Sequence, residues 1–592
     1  MIWNICFIAA LAVLVATVTT AVAYRRSHAG TGTLYLLTFG IAVAAVVILY
    51  PLSLSQLEGG YLRAVLLAVH NTLRLFVLDD DFSLMIEKTE VLGRGFRVIY
   101  GVLAAIIYLA APVMTFSVVL SFLRKYAAYR NYLLHYTRPA YIFSELNERS
   151  IALATDLKRE KPRCVIAFTG VGDDDDGYYK RLAGIGALQF HDGVDDVNFA
   201  RHSRRAEMTF FIISDDDAQN IRESLSLIER YRGRTGTRMY VFSDSVSGRL
   251  MLENADCGEM IVQRVNEAQR TVASLLYERG GELFDSAVPI PGSDERQITA
   301  VVAGLDGYGL EMVRALPWLC QMTGYRISIH VISVRKDAEE LLRSMCPELL
   351  DDEHNGLSGT DEDACYSISV YPDVREDGAR FDRIIEAIPD ISFAFVSLGN
   401  DERNIKTAAK LRMLAERARV RGCTADEGRT DAKIWAVVRS GDDMQACRDA
   451  DLCNHRGQKY GISFVAGISA VCSVDGLLFS KLEEMALARH RNWGDEKSFW
   501  RVEYNYRSSI ASVIHARYKK YCRVPGADIP NPNDRPPEAR ELLRRLEHRR
   551  WNAYMRSEGY VFCEKRDELA RTHHCLVPFS SLSEEEQRKD DD

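Results

Sequence analysis

The sequence predicts an α-helical membrane region followed by α/β structure: two tandem Rossmann-like units with parallel sheets, then a small, mostly helical C-terminal module. Three observations carry this prediction. Long uncharged apolar runs occur only near the start of the chain, short β-rich runs alternate with helical ones from residue 139 on, and a final helix opens at Pro536-Pro537. With roughly 150 residues per domain, 592 residues should form about three or four structural units.

Composition and charge exclude several classes of protein. The chain has 74 basic and 82 acidic residues and a net charge of −8, whereas a general nucleic-acid binder needs a basic surface. We therefore expect no nucleic-acid partner. The 13 cysteines form no CxxC pair, which indicates free thiols in a reducing compartment. Cys447, Cys453 and His455 lack a usual zinc spacing, so we predict no metal site. No GxSxG, HExxH or Walker A motif is present, so we assign no catalytic residue and expect no enzyme.

The membrane region is assigned to residues 1–130. Three apolar runs, 2–24, 33–55 and 98–123, are each long enough to cross a bilayer. The first run could be a cleaved signal peptide ending near Ala23, but its start lacks Lys and Arg, so we interpret it as a retained anchor. We expect a multi-pass protein of the cytoplasmic membrane, with its N-terminus outside and its charged C-terminal domains in the cytoplasm.

The loop between the second and third runs has its own pattern. Residues 61–78 are amphipathic at helical spacing, with Arg63, His70 and Arg74 on one side, and Asp79-Asp80-Asp81 follow. A helix with an acidic cluster could be a re-entrant pore element, because carboxylates select cations. The favoured alternative is an interfacial helix on the outer leaflet. No potassium-filter sequence is present.

Two α/β units follow, at 139–290 and 296–490. The predicted strands of the first are 140–145, 164–169, 208–214, 238–243 and 259–265, and those of the second begin at 298, 325, 391, 433 and 460. Asp217 to Asn220 follow one strand as Asp401 to Asn404 follow its counterpart, which indicates an internal duplication.

A damaged glycine motif opens the second unit. Gly304 and Gly309 occupy the first and last positions of a GxGxxG motif, but Asp306 takes the middle position, with Gly307 beside it. An aspartate places charge where a pyrophosphate would approach, so the motif argues against NAD(H). The alternative is that the glycines only make a tight turn between strand and helix.

Two Rossmann-like units behind membrane helices resemble the tandem RCK (KTN, TrkA-N type) domains of potassium channels and uptake regulators. The resemblance covers roughly 139–490 and rests on architecture. The order of span, outer helix, span and tandem domains is also similar to that of Castor/Pollux-type channels. The missing filter puts potassium conduction in doubt.

The C-terminal module, 500–592, carries the most specific pattern. From Leu546 to Asp590 it resembles the RyR domain of ryanodine receptors, through His548, Trp551, Gly559, Tyr560, Arg566, Asp567, His574, Leu576-Val577-Pro578 and Leu582-Ser583-Glu584. The resemblance implies a ligand-recognition module for a nucleotide-derived signal. Its predicted site residues are Glu547, Arg550, Trp551, Tyr554, Tyr560, Arg566, Asp567 and His574. Aromatic faces could stack a base and Arg could bind phosphate, although Trp551 could instead anchor the core and each Arg could lie on a solvated face.

These features predict a membrane-anchored sensor. Its Rossmann-like and RyR modules would bind a nucleotide-type signal and act on the membrane region, and antiviral defence signalling is one pathway that such a sensor could serve. The alternative is an RCK-regulated ion channel or transport regulator that responds to a nucleotide or an ion, and a third class is a nucleotide-processing enzyme. We expect the lipid bilayer, a small nucleotide-type ligand and further copies of the chain as partners.

Overall fold

The computed structural model describes most of the chain. The residues described are 2–27, 32–56, 60–77, 79, 87, 89–172, 176–357, 365–422, 431–441, 445, 460–478, 480–526, 529 and 534–590. Cys447, Cys453, His455 and Asp80-Asp81 lie outside these residues. The chain divides into two compact units, Met1–Leu146 with Arg163–Met208 and Asn147–Pro162 with Thr209–Asp592. The division lies inside the predicted 139–290 domain.

The helices alternate with strands after the first four. In chain order they are α1 (Ile2–Ser27), α2 (Gly32–Gln56), α3 (Tyr61–Phe76), α4 (Arg94–Leu134), α5 (Glu148–Glu160), α6 (Asp176–Ile185), α7 (Asp217–Tyr231), α8 (Val246–Glu253), α9 (Glu267–Arg279), α10 (Gly281–Asp285), α11 (Gly307–Leu319), α12 (Ala338–Met345), α13 (Ala379–Ala387), α14 (Asp401–Gly422), α15 (Ile468–Val471), α16 (Val474–Leu477), α17 (Lys481–His490), α18 (Glu496–Arg501), α19 (Glu503–Tyr518), α20 (Pro537–Ser557) and α21 (Glu584–Gln587).

The strands are short and mostly buried. They are β1 (Ala140–Phe143), β2 (Val165–Phe168), β3 (Leu188–Gln189), β4 (Met208–Ile212), β5 (Thr237–Phe242), β6 (Ile261–Val265), β7 (Val288–Pro289), β8 (Arg296–Ala303), β9 (Tyr325–Ile332), β10 (Tyr366–Tyr371), β11 (Phe393–Val396), β12 (Lys433–Val437), β13 (Ile462–Val465), β14 (Val561–Phe562) and β15 (Thr572–His573). The sequence analysis missed the edge strands β3 and β10, which have few buried apolar residues. It also missed the two-residue strands β7, β14 and β15.

The first unit contains three segments long and apolar enough to cross a membrane, Ile2–Val22, Tyr35–Gln56 and Arg94–Leu120. They confirm the three predicted apolar helices, and α4 extends past its predicted end to Leu134. Helix α3 confirms the predicted amphipathic helix, with Ala64, Ala68, Thr72 and Leu75 buried. In this unit β1, β2 and β3 pair in parallel in the order β3-β2-β1.

The second unit holds a complete doubly wound sheet. Its order is β10-β9-β8-β11-β12-β13, with β7 antiparallel on β8. This is the 3-2-1-4-5-6 order of Rossmann-like folds, in which ligands bind outside the carboxyl ends of the strands. The same unit contains β4, β5 and β6, hydrogen-bonded in that order. The predicted fold class, apolar helices followed by parallel-sheet α/β units, is confirmed.

The C-terminal helix α20 shares a hydrophobic core with the second sheet. Leu543, Leu546 and Met555 are buried in the same cluster as Met312 and Leu316 of α11. The neighbouring Leu542 is exposed. The 500–592 segment is therefore packed as part of the second unit.

Candidate functional site

The glycine motif at the end of β8 makes a close backbone crossing. Gly304 has φ +104°, and a Cβ there would lie 1.7 Å from the carbonyl oxygen of Ser397. A Cβ on Gly309 would lie 2.2 Å from the carbonyl oxygen of Gly304. Both glycines are therefore required by the packing of α11 against the strand ends. This agrees with the alternative that they only make a tight turn between strand and helix.

Asp306 fills the position in front of the first turn of α11. Its Oδ1 accepts a hydrogen bond from the backbone N–H of Gly309 at 2.9 Å, and its Oδ2 accepts one from the Ser397 hydroxyl at 2.7 Å. Asp306 thus caps the helix that Gly307 begins. A carboxylate already occupies the place where a pyrophosphate would approach.

Glu547 and Arg550, two predicted ligand residues, form a buried ion pair. The Arg550 guanidinium donates to Glu547 Oε1 at 2.9 and 3.0 Å, and Lys519 Nζ lies 3.5 Å from Glu547 Oε2. Burial by itself would raise the pKa of Glu547, but Arg550 and Lys519 outweigh it and hold this pKa below its usual range. The Arg550 charge is balanced inside the protein.

The aromatic residues of the predicted site take different positions. Tyr554 is buried, with its ring centroid 6.3 Å from that of Trp318. Trp551 is half-buried between two imidazoles, with centroids 5.8 Å from His548 and 4.9 Å from His573. Trp551 therefore packs against side chains of the C-terminal fold, as the core-anchor alternative considered for it requires.

Tyr560, Arg566 and Asp567 surround the turn after α20. The buried Tyr560 hydroxyl donates to Glu568 Oε2 at 2.6 Å, and the exposed Arg566 donates twice to Glu568 Oε1, at 2.9 and 2.6 Å. Asp567 Oδ1 accepts a hydrogen bond from the backbone N–H of Leu569 at 3.0 Å. Of the predicted phosphate ligands, Arg566 is the more accessible.

His574 is exposed and stacks on His573, with ring centroids 5.1 Å apart and planes at 7°. These rings and Cys575 bring three possible metal-ligand atoms within 4.8 Å. However, His573 Nδ1 accepts a hydrogen bond from the Cys575 backbone N–H at 3.1 Å, so in the neutral ring Nε2 carries the proton. This hydrogen bond opposes ligation through His573 Nδ1.

The eight predicted residues therefore do not form one open site. Glu547, Arg550 and Tyr554 lie in the buried interior, whereas Arg566 and His574 lie at the surface. A cavity of the second unit lies elsewhere.

A cavity of about 700 Å³ lies at the carboxyl ends of β4, β5 and β6. The first residues of α7, α8, α9 and α11 also line it. Its volume falls within the roughly 300–1,000 Å³ of typical small-molecule sites. Its charged lining residues are seven arginines and seven carboxylates: Arg149, Arg249, Arg264, Arg314, Arg439, Arg507 and Arg571, and Asp215, Asp217, Asp244, Glu267, Asp306, Glu311 and Glu503. The four helix starts are capped by Asp216, Ser245, Asn266 and Asp306. The arginine forks are therefore the anion ligands that the cavity offers.

Glu267 organises one side of the cavity. Its Oε1 accepts hydrogen bonds from Arg439 and from the Tyr308 hydroxyl, each at 2.7 Å, and its Oε2 lies 3.3 Å from Arg149. Arg149 also pairs with Asp215. Burial, then the charge of Glu267, raises the pKa of Tyr308. Two guanidinium groups are thereby held in fixed positions at the cavity wall.

A buried ion network forms another wall. Arg314 contacts Glu311 at 2.8 Å and Glu558 at 3.0 Å, and Arg507 contacts the same two carboxylates at 3.0 and 2.6 Å. Burial by itself would raise the pKa of Glu311, but Arg507 and Arg314 hold it below its usual range. The network ties α11, α19 and α20 together behind the cavity.

Two asparagines, one in each sheet, join the carboxyl ends of neighbouring strands by the same kind of hydrogen bonds. Asn220 accepts from the Ser214 backbone N–H and donates to the Phe242 carbonyl, both at 2.8 Å. Asn404 accepts from the Leu398 backbone N–H at 2.7 Å and donates to the Val437 carbonyl at 2.8 Å. The repeated sequence pattern thus corresponds to a repeated contact between neighbouring strand ends.

Sequence reasoning missed the arginines of the cavity. Arg149 is the second residue of α5, and Arg439 comes two residues after β12. Basic residues at the starts of helices and just past strand ends were the available signal, because the carboxyl ends of parallel strands share one edge.

No protein-family model and no curated protein matches the chain. Among solved structures, the chain is similar to a crystal structure of a GsuK mutant, with 12% identity, a TM-score of 0.32 and coverage of 78% of this chain and 98% of that chain. A crystal structure of GsuK bound to ADP has 12% identity, a TM-score of 0.31 and coverage of 77% and 96%. A structure described as the GsuK channel has 11% identity, a TM-score of 0.32 and coverage of 77% and 82%. The resemblance of residues 546–590 to the RyR domain stays a prediction.

Proposed function

We propose that this protein is an RCK-type ion channel or transport regulator whose activity responds to a nucleotide bound in the 700 Å³ cavity. The observation that carries the proposal is the cavity itself, where strand ends, helix starts and several arginines converge. Among the described residues of the same chain, three helical segments are long and apolar enough to cross a membrane. A ligand site and a membrane region in one chain are the two parts that a ligand-responsive channel needs.

The cavity offers a distinct contact for each part of a nucleotide. Phosphate oxygens can be bound by Arg149 and Arg439, which are positioned by Glu267. Ribose hydroxyls can donate to Asp217 or Asp244, carboxylates that also line the cavity. A nucleoside diphosphate is therefore the class of ligand that fits this set of side chains.

The membrane region is joined to its sheet by a short connection. Helix α4, which contains the third candidate membrane span, ends at Leu134, and β1 begins at Ala140. Five residues therefore separate this helix from the sheet. A short connection transmits displacement better than a flexible linker. A ligand that binds one arrangement of the α/β region more tightly would shift the population of membrane-region states.

The test is a binding titration with the full-length protein in lipid nanodiscs. ADP is the first probe, because one of the similar structures is described as bound to ADP. The double variant Arg149→Gln Arg439→Gln should bind ADP about a hundred- to ten-thousandfold more weakly, because each of the two charged contacts contributes about 1.5–3 kcal/mol. Arg222→Gln is the matched control, since Arg222 is exposed on α7 and does not line the cavity.

Ion flux through proteoliposomes, with and without ADP, then tests the response of the membrane region. We expect flux to change with ADP in the parent protein and in Arg222→Gln, and not in the double variant. Equal ADP affinity in all three proteins would refute the site. Unchanged flux despite cavity-dependent ADP binding would refute the channel function.

The C-terminal site suggested by the RyR resemblance stays a second, separate prediction. Its exposed members, Arg566 and His574, could still contact a ligand, whereas Arg550 would first have to leave Glu547. A role in antiviral defence, the homo-oligomeric state, the orientation in the membrane and the absence of enzymatic activity likewise stay predictions.

A further inference from the structure

A second, smaller pocket lies between β6, α8 and α9 on one side and α18 and α19 on the other. Its volume is about 100 Å³, well below the roughly 300–1,000 Å³ of sites for drug-sized ligands. Its charged lining residues are five basic and two acidic: Arg249, Arg264, Arg270, Lys497, Arg501, Glu253 and Glu503. Such a pocket suits a small anion.

Two of the five cations are balanced within the protein. Arg264 makes a two-pronged contact with Glu503, at 3.0 and 2.7 Å. Arg270 pairs with Glu483 through one terminal nitrogen, and its side chain is only 8% exposed. Its Nε and its other terminal nitrogen have no hydrogen-bond partner among the described residues. Arg270 is therefore charge-paired but retains donor capacity in a dry environment.

The other three cations have weak partners or none. Arg249 makes no side-chain hydrogen bond and no ion pair within the described part of the chain, and its Nε is buried. Arg501 donates only to the Ala255 carbonyl, at 3.3 Å, and Lys497 lies 3.7 Å from Glu259. Positive charge therefore exceeds negative charge around the pocket.

The remaining polar group at the pocket is also a donor. The indole Nε1–H of Trp500 is buried and has no acceptor among the described residues. The Tyr506 hydroxyl donates a hydrogen bond to Glu483 at 2.8 Å. Tyr506 therefore adds no negative charge to the pocket. Donors in excess of acceptors in one enclosed space indicate a missing acceptor.

We infer that this pocket binds a small oxyanion, of the class of inorganic phosphate, through Arg249 with Lys497 and Arg501 at its rim. The site goes beyond the proposed nucleotide site, because its volume excludes a nucleoside and most of its lining belongs to different residues. Arg249 lines both cavities, so it forms part of the wall between them. An anion here would link α8 of the first α/β region to α18, which follows the second sheet.

The test measures inorganic phosphate binding to the full-length protein in nanodiscs by calorimetry. Arg249→Gln should weaken phosphate binding about ten- to a hundredfold, because it removes a charged contact. The rim variant Lys497→Gln Arg501→Gln should weaken it about two- to fivefold, as expected for solvent-exposed charges. The unfolding temperature of each variant should stay within a degree or so of the parent, since none of these side chains holds a buried ion pair.

Arg149→Gln is the matched control, because Arg149 lines only the larger cavity. It should weaken ADP binding and leave phosphate affinity unchanged, whereas the rim variant should do the reverse. The two proposals can therefore fail independently. No phosphate binding at millimolar concentration, or phosphate affinity that is unaffected by Arg249→Gln, would overturn the inference.

Discussion

The second unit contains two carboxyl-terminal edges of strands built on the same plan, an open edge that faces a cavity and a closed edge that is crossed by backbone at Gly304. The start of α11, at the closed edge, also lines that cavity. In front of β4, β5 and β6 the strand ends face a cavity of about 700 Å³. In front of β8 and β11 the backbone at Gly304 passes against Ser397, and Asp306 spans the gap by its hydrogen bond to the Ser397 hydroxyl. The glycines typical of a ligand-binding loop lie at the closed edge.

The two edges share the device that holds neighbouring strand ends together. Asn220 and Asn404 make corresponding hydrogen bonds, so the backbone framework does not distinguish an open edge from a closed one. The difference lies in the residue that faces the crevice, since Asp306 supplies its own anion to the helix start. Fold alone therefore does not locate a binding site; side chains at the strand ends do.

The largest effect should come from adding a methyl group at the closed edge. Gly304→Ala combines a positive φ with overlap against the Ser397 carbonyl, so we expect a loss of about 3–5 kcal/mol in stability. Thermal unfolding of the full-length protein measures it. Gly399→Ala is the control, because Gly399 also has a positive φ but nothing lies within 4 Å of its added Cβ. Equal losses in both variants would mean that the crossing at Gly304 is not tight.

An intermediate loss of stability should follow from removing either asparagine side chain that joins neighbouring strand ends. Asn220→Ala and Asn404→Ala each leave buried backbone groups without a partner, so we expect about 2–3 kcal/mol of destabilisation for each. Asn220 lines the cavity and Asn404 does not. ADP titration at a temperature where both variants are folded should therefore show weaker binding only for Asn220→Ala. Weaker binding in both would make the effect one of general stability.

The smallest effect should come from the helix caps at the two edges. Asp306→Ala removes the cap of α11 and the hydrogen-bond partner of Ser397. Ser245→Ala removes the cap of α8, because the Ser245 hydroxyl accepts a hydrogen bond from the Gly248 backbone N–H at 2.9 Å. We expect about 1–2 kcal/mol for the first and about 1 kcal/mol for the second. If the Asp306→Ala variant instead bound NADH tightly, the charge of Asp306 alone would keep a dinucleotide from the strand ends of β8 and β11, and the backbone packing there would not.

Several elements followed directly from the sequence. The three apolar runs are helices, and α20 begins at Pro537 and ends just before Gly559, whose φ is +82°. Apolar runs, proline at a helix start and glycine past a helix end act over a few residues, so they can be interpreted without the fold. Strand β3 was missed because it has only two residues, and β10 because Tyr366 and Ile368 are its only buried residues, so neither forms a continuous apolar run.

The candidate site was much less predictable. The aromatic and basic residues of α20 looked like a ligand surface, but Arg550 is buried against Glu547 and Tyr554 lies in the core. The same residue types serve phosphate binding and internal ion pairing, so composition does not separate the two roles. Glu547 lies three residues before Arg550 on the same helix, so the sequence allows the pair, but it does not show that this face of the helix is buried.

The sequence by itself determined the order of membrane helices, parallel-sheet units and C-terminal helix, because those depend on local periodicity. Only the tertiary structure decided which charges meet. Arg149 reaches Glu267 across 118 residues, and Arg264 reaches Glu503 across 239. Pairs so distant leave no periodic signal in the chain. They form because parallel strands bring their carboxyl ends to one edge, where side chains from remote segments enclose a common cavity.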